Sequence, residues 1–141
     1  MIVKMSGGLG NQLFQWATFY ALSKSSGIPY LLDISHYEQN GAHGGFRLQH
    51  MQLDELPIRT YHDTSSVSLL EKIICRLCLH WPKISPLFKK IVHEGEVTGN
   101  EIPVVHNGIY MGFWQSHCYF DSYWAELKKM IIPNEISPCV Q

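Results

Sequence analysis

The chain has 141 residues, 45% of them hydrophobic, which is ordinary for a globular protein and excludes wholesale disorder. Eleven basic and twelve acidic residues give a net charge of −1, so no global positive field exists to gather nucleic acid. No segment has the roughly 18 uninterrupted apolar residues of a membrane span, and the first residues lack a signal-peptide pattern. Four unevenly spaced cysteines favour a reducing compartment, most simply the cytoplasm.

The first third of the chain is predicted to form a strand, a glycine loop, a helix and a second strand. Residues 2–5 are β-prone, residues 6–10 contain three glycines, and apolar residues then recur at helical spacing. Asn11 is predicted as the N-cap of this helix and Gly27 as its C-terminal stop. Residues 28–32, ended by an aspartate, are the second strand. This unit implies parallel strands, so the predicted fold class is α/β with a Rossmann-like sheet.

The later elements are less regular. Residues 46–48 are predicted as a short strand, and residues 65–92 as a helical region that Pro82 and Pro86 break. An aromatic strand is expected over 109–114 and a helix over 121–130. An α/β pattern calls for another strand after this helix. We therefore interpret residues 1–141 as a single lobe whose α/β pattern is unfinished, with 41–99 as a variable loop and helical insertion.

The glycine loop after the first strand is the most informative segment. A glycine-rich turn into a helix leaves amide groups free, allows close approach of a ligand, and carries the positive end of the helix dipole. It could hold a phosphate or a sugar hydroxyl, and Asn11 and Gln12 add amide groups that suit hydroxyls. A dinucleotide-binding oxidoreductase is a near miss, because Leu13 replaces the third glycine although Asp33 is well spaced for a ribose. A tight turn without a ligand is the other alternative.

Residues 6–17, Ser-Gly-Gly-Leu-Gly-Asn-Gln-Leu-Phe-Gln-Trp-Ala, resemble the N-terminal signature of the glycosyltransferase family 11 α-1,2-fucosyltransferases. Residues 31–35 resemble the family's second strand, and residues 112–116 resemble its later aromatic-Trp-Gln-Ser segment. The resemblance implies a GT-B-type enzyme with two Rossmann-like lobes, of which residues 1–141 would be the N-terminal, acceptor-side lobe, truncated before the donor-binding lobe. It also implies metal-independent, inverting transfer of L-fucose from GDP-fucose to the 2-hydroxyl of a galactose-containing glycan, without a cofactor.

The resemblance further implies which residues bind substrate, although it names no catalytic residue. The expected substrate-binding residues are Gly8, Gly10, Asn11, Gln12, Asp33, Trp114 and Gln115. For Asp33 a role as a strand-end turn former is an equal alternative, and Trp114 belongs to the wall of the cleft or to the core. The family's His-x-Arg-Arg-x-Asp segment, whose arginines face the donor diphosphate, does not occur in these residues. We therefore expect this chain alone to transfer fucose poorly or not at all.

Four other interpretations stay open. One alternative is that the chain is a non-catalytic remnant or glycan-binding module. A lobe that forms only half of a cleft would expose an apolar edge, so the expected partner is a second lobe or a second copy of the chain. Cys75, Cys78 and His80 have metal-like spacing, but their apolar helical context favours packed, inert thiols. Residues 66–92 carry a local charge of about +4, which suits either an anionic membrane surface or a solvated helix face. The eight histidines form no metal motif, and only His36 and His117 are expected to reach a cleft.

Overall fold

The computed structural model describes residues 1–40, 44–53, 56–60, 69–81 and 90–133. In this part of the chain one parallel sheet has the strand order β3-β2-β1-β5-β4. The elements are β1 (Ile2–Lys4), α1 (Leu9–Ser26), β2 (Leu31–Asp33), α2 (Ser35–Asn40), β3 (Ile58–Arg59), α3 (Leu69–His80), β4 (Ile91–His93), β5 (Ile109–Met111) and α4 (Trp124–Met130). The predicted α/β class with a Rossmann-like parallel sheet is confirmed.

The first helix begins earlier than the sequence suggests. Gly7 has a φ of +79°, which turns the chain directly after β1, and Gly8 in an extended conformation is the N-cap of α1. No side chain caps this end, so the prediction of Asn11 as N-cap is wrong. Gly27 ends the helix in the left-handed conformation with its amide bonded to the carbonyl of Ser23, as predicted.

Three other expectations differ from the structure. Residues 46–48 are not a strand, because a 3₁₀ turn spans Leu48–His50. β4 and α2 were not predicted. β4 has only three residues, too short to show an alternating pattern, and its first two residues fall within the range 65–92 that the sequence predicts as helical. The range 41–99 supplies β3 and β4, the two edge strands of the described sheet. Residues 61–68 and 82–89, including both prolines of the predicted helical region, lie outside the described residues.

The sheet is covered on both faces, as expected for parallel strands. On one face α1 packs Trp16 and Phe19 into a core that also contains Val3 and Tyr110. On the other face α3 contributes Cys78 to a smaller cluster with Ile91, Ile109 and Met111. Among the described residues, no helix has both the length and the apolar character that crossing a membrane requires.

Candidate functional site

The candidate site lies where the chain order of the sheet reverses. β1 has β2 on one side and β5 on the other, so the connections from these two strands diverge. In open parallel sheets such a point leaves a crevice at the carboxyl ends of the strands, and ligands bind there. The loop after β1 (residues 5–8) and the loop after β5 (residues 112–116) meet at this place. We call them the switch-point loops.

The first turn of α1 has free amide groups. The first bond of the helix runs from the Gln12 amide to the Gly8 carbonyl (3.0 Å), and the amides of Leu9, Gly10 and Asn11 have no partner among the described residues. A Cβ built on Gly8 or on Gly10 would meet no atom within 4 Å. The turn is therefore open to solvent and presents unpaired donors at the positive end of an 18-residue helix.

Asn11 and Gln115 join the two switch-point loops. The Gln115 side-chain amide donates a hydrogen bond from Nε2 to Oδ1 of Asn11 at 2.5 Å. In the described part of the structure the Asn11 Nδ2 group and the Gln115 Oε1 atom have no hydrogen-bond partner, and Gln115 is exposed. The pair thus leaves one donor on Asn11 and one acceptor on Gln115 for a ligand such as a sugar, whose hydroxyls both donate and accept hydrogen bonds.

Gln12 does not line this opening. It is fully buried, its Nε2 donates to the carbonyls of Gly7 (3.1 Å) and Gly45 (3.0 Å), and its Oε1 accepts from the Arg47 amide (2.8 Å). This burial and pairing disfavour the prediction that Gln12 binds substrate. Both polar ends of its side chain are used inside the protein, where they fix the loop after β1 to residues 45–47.

Trp114 also faces inward. Its side chain has no exposed surface, and its ring packs at 5.3 Å from the Phe19 ring and 6.0 Å from the Tyr119 ring. Gly112 (φ +140°) and Trp114 itself (φ +55°) turn the chain sharply after β5 and direct the indole into the core. Its burial agrees with the core alternative for Trp114 and disfavours a cleft-wall or stacking role.

Asp33 is a turn former at the end of β2. Its Oδ1 accepts hydrogen bonds from the amide (3.1 Å) and the hydroxyl (2.6 Å) of Ser35, which starts α2. Its Oδ2 forms an ion pair with Lys4 Nζ at 2.6 Å. The carboxylate is 0% exposed, so it is not placed to bind a ribose or an acceptor sugar. Of the two alternatives stated for Asp33, the structure supports the turn.

Two residues without an assigned role organise the switch-point loops. Gln15 is fully buried; its Oε1 accepts from the Ser6 amide (3.1 Å), and its Nε2 donates to the carbonyls of Ser6 (3.2 Å) and Gly112 (3.0 Å). The carboxylate of Glu94, just after β4, accepts hydrogen bonds from the backbone amides of Phe113 (2.8 Å) and Gln115 (3.0 Å). The i, i+3 spacing of polar residues in an otherwise apolar helix could have indicated Gln15. No local signal indicates Glu94.

Two further buried titratable groups are structural: Tyr37 beside the loop after β1, and Cys78 on the other face of the sheet. The Tyr37 hydroxyl donates to the Gly7 carbonyl at 2.7 Å, and burial raises its pKa to about 12, so it is a neutral donor at physiological pH. On the other face of the sheet Cys78 is fully buried, and burial raises the pKa of its thiol. This agrees with a packed thiol rather than a zinc ligand, while the Cys75 side chain lies outside the described residues.

Comparison with known proteins adds one relative. An alpha-1,2-colitosyltransferase from Escherichia coli is 30% identical to this chain over 139 residues. This likeness supports a glycosyltransferase family. The alignment covers 97% of the chain and 46% of the relative, so the chain spans about half the length of the protein it matches. No protein-family model and no solved structure matches the chain.

Proposed function

We propose that this chain is the acceptor-side lobe of a family 11 glycosyltransferase of the α-1,2-fucosyltransferase type. It would act in inverting transfer of a deoxysugar from a GDP-linked donor to the 2-hydroxyl of a galactoside. The observation that carries this proposal is the open first turn of α1 at the switch point, with the Asn11–Gln115 pair beside it. The similarity to a colitosyltransferase supports the same reaction class.

In this proposal the site divides into two parts. The free amides of Leu9, Gly10 and Asn11 provide partial positive charge for an electron-rich oxygen. The free donor of Asn11 and the free acceptor of Gln115 select hydroxyl groups, because a hydroxyl missing from the ligand would leave a polar group of the site unpaired. Gly8 and Gly10 keep this surface accessible. Gln12, Asp33 and Trp114 support the site from inside the protein.

The reaction needs charges that these loops do not supply. The acceptor oxygen forms a bond to the anomeric carbon and loses its proton to a base, while the bond to the diphosphate breaks and its electron pair leaves with the phosphate. Among the described residues, Lys4 at the end of β1 is paired with Asp33. In a site without a metal, fixed cations stabilise the charge that develops on a departing diphosphate. We therefore propose that full activity requires a second, cation-bearing lobe.

Titration followed by NMR tests the function. We expect lactose to shift the amide signals of residues 8–11 and 112–116, and Asn11→Ala and Gln115→Ala to weaken this binding about tenfold each, equivalent to about 1.4 kcal/mol. Gln52→Ala is the matched control, because the side-chain amide of Gln52 lies on the surface and bonds only the Pro133 carbonyl among the described residues. Lactose shifts that are absent, or that both variants retain unchanged, would contradict the proposed site.

The same titration separates the alternatives. Colitose is L-fucose without its 3-hydroxyl, so GDP-fucose and GDP-colitose test which deoxysugar the protein accepts. Galactoside binding without donor binding is expected of the acceptor-side lobe and of the non-catalytic glycan-binding module alike, so these two are separated by whether adding a cation-bearing donor lobe produces transfer. Binding of NAD would indicate the oxidoreductase, which the internal pairing of Asp33 disfavours. Formation of 2′-fucosyllactose by the isolated chain would contradict the need for a second lobe, and size-exclusion chromatography would reveal self-association.

We also propose that α3 contacts an anionic membrane surface from the cytoplasmic side. Four apolar side chains of α3 and its end lie on one stripe and are exposed: Leu70, Ile73, Leu77 and Trp81. Arg76 and Lys90 are exposed nearby in the chain and would attract anionic headgroups. We expect sedimentation with phosphatidylserine vesicles that Leu77→Gln and Trp81→Ser abolish. Equal sedimentation of the double variant would refute this contact.

A further inference from the structure

A group of chemistry-bearing side chains lies just after the second switch-point loop. His117, Cys118 and Asp121 each offer one ligand atom, and the three atoms lie within 4.8 Å of one another. His117 Nε2 is 3.7 Å from Cys118 Sγ and 3.7 Å from Asp121 Oδ2. Imidazole nitrogen, thiolate sulfur and carboxylate oxygen are the three ligand types that zinc accepts in proteins.

These separations are close to those of a metal site. A tetrahedral zinc ion with bonds of about 2.0–2.3 Å holds its ligand atoms roughly 3.3–3.6 Å apart. The two distances from His117 exceed this range by only a few tenths of an ångström. Cys118 and Asp121 need to approach each other by about an ångström, and both side chains are exposed.

The backbone holds the three ligands on the outside. His117 and Cys118 lie in a 3₁₀ turn (His117–Tyr119), and Asp121 starts the next one (Asp121–Tyr123). The two residues between Cys118 and Asp121 point inward: Tyr119 packs against Trp114, and Phe120 packs at 5.8 Å from Phe14. Because these rings anchor the turn to the core, much of the order that a metal site needs already exists before an ion binds.

We propose that His117, Cys118 and Asp121 form a reversible binding site for a zinc-class divalent cation. The fourth position of the ion is left for water or for a ligand atom of another molecule. As the metal–sulfur bond forms, the Cys118 thiol releases its proton to solvent. The sequence did not indicate this particular site, because the spacing His-Cys-x-x-Asp matches none of the established metal-binding motifs. The site takes no part in the proposed transfer reaction, so the two proposals fail independently.

Cobalt(II) is a suitable spectroscopic probe, because a tetrahedral cobalt–thiolate site absorbs in the near ultraviolet and in the visible. We expect the whole chain to bind one equivalent of Co²⁺ with a thiolate band, and Zn²⁺ to displace it. Cys118→Ser should remove the band. His117→Gln and Asp121→Asn should each weaken binding at least about tenfold. The substituted side chains are exposed, so circular dichroism should remain unchanged.

Matched controls are available in the same chain. Cys139→Ser removes a different thiol and His106→Gln a different exposed imidazole, and both variants should bind Co²⁺ like the wild type. Three results would overturn the proposal: no thiolate band in the wild type at millimolar Co²⁺, a band that persists in Cys118→Ser, or an affinity that Asp121→Asn leaves unchanged.

Discussion

Replacing Gln15 by alanine tests whether buried hydrogen bonds hold the switch-point loops together. The side chain of Gln15 connects the loop after β1 to the loop after β5 through bonds to the amide, carbonyl and hydroxyl of Ser6 and one bond to the Gly112 carbonyl. Alanine removes these four bonds and leaves a cavity under both loops. The residue itself has no exposed surface, so its loss cannot change a direct contact with solvent.

The expected cost follows from the groups that lose a partner. A buried donor or acceptor without a partner costs about 1–3 kcal/mol. Ser6 and Gly112 are only partly buried, so water can reach some of their backbone atoms after the substitution and reduce this cost. The cavity adds a term of its own. We therefore expect Gln15→Ala to lower the free energy of unfolding by about 2–4 kcal/mol, a large part of the usual 5–15 kcal/mol of a domain.

Urea denaturation followed by circular dichroism measures this change, with equal m-values as the condition for comparing midpoints. Gln115→Ala is the control in the same region, because its exposed side chain makes one hydrogen bond to Asn11 and should cost less than about 1 kcal/mol. Hydrogen exchange should also show faster exchange of the amides in residues 112–116 in Gln15→Ala. A free energy of unfolding within 0.5 kcal/mol of the wild type, roughly the range of surface substitutions, would refute the reasoning.

Three further predictions concern residues around the same loops. Gly112→Ala should lower the free energy of unfolding by about 1–3 kcal/mol, since φ is +140° and a Cβ would overlap Glu94. Urea denaturation measures this change. The control is Gly10→Ala, which should be neutral or stabilising because a Cβ there has nothing within 4 Å. The pKa of Tyr37 is raised from 10.0 to about 12 in the folded protein, so the unfolded chain releases this proton at lower pH than the folded one. The free energy of unfolding should therefore fall between pH 10 and 12, and it should fall less steeply in Tyr37→Phe. Asp33→Asn should cost about 1.5–3 kcal/mol by losing the Lys4 ion pair, and an unchanged melting midpoint would contradict this.

The fold was predictable where the pattern is local. A β-prone run, three glycines and a helical period in the sequence predict the β1–α1–β2 unit. Gly27 ends the helix because a residue without a Cβ tolerates the left-handed conformation. β4 was not predictable in this way. Three residues are too few for a period, and this strand exists because β5 offers it a partner, which is a non-local fact. The start of α1 was misplaced because a left-handed Gly7 turns the chain before any capping side chain is needed.

The candidate site was predictable in position but not in its contacts. Glycines after a first strand indicate an open turn. In the structure the amides of Leu9, Gly10 and Asn11, in the first turn of α1, have no partner among the described residues. Which polar side chains face a ligand depends on the direction of each Cβ relative to a sheet that the sequence does not show. Gln12 and Asp33 therefore looked equivalent to Asn11, although both are buried and fully paired.

These placements change how the resemblance over residues 6–17 should be interpreted. Gln12, Gln15 and Thr18 recur at every third position of α1 and are all fully buried, where they bond the loops after β1 and β5 and residues 45–47. A protein that needs the same pair of loops in the same places therefore needs this polar stripe, whatever sugar it binds. The stripe supports the geometry of the crevice. In the proposed function, discrimination between sugars comes from the positions beside it, above all half-buried Asn11 and its exposed partner Gln115. Exchanging these two positions between related transferases should change sugar preference, whereas substitutions in the buried stripe should lower stability and disturb both loops.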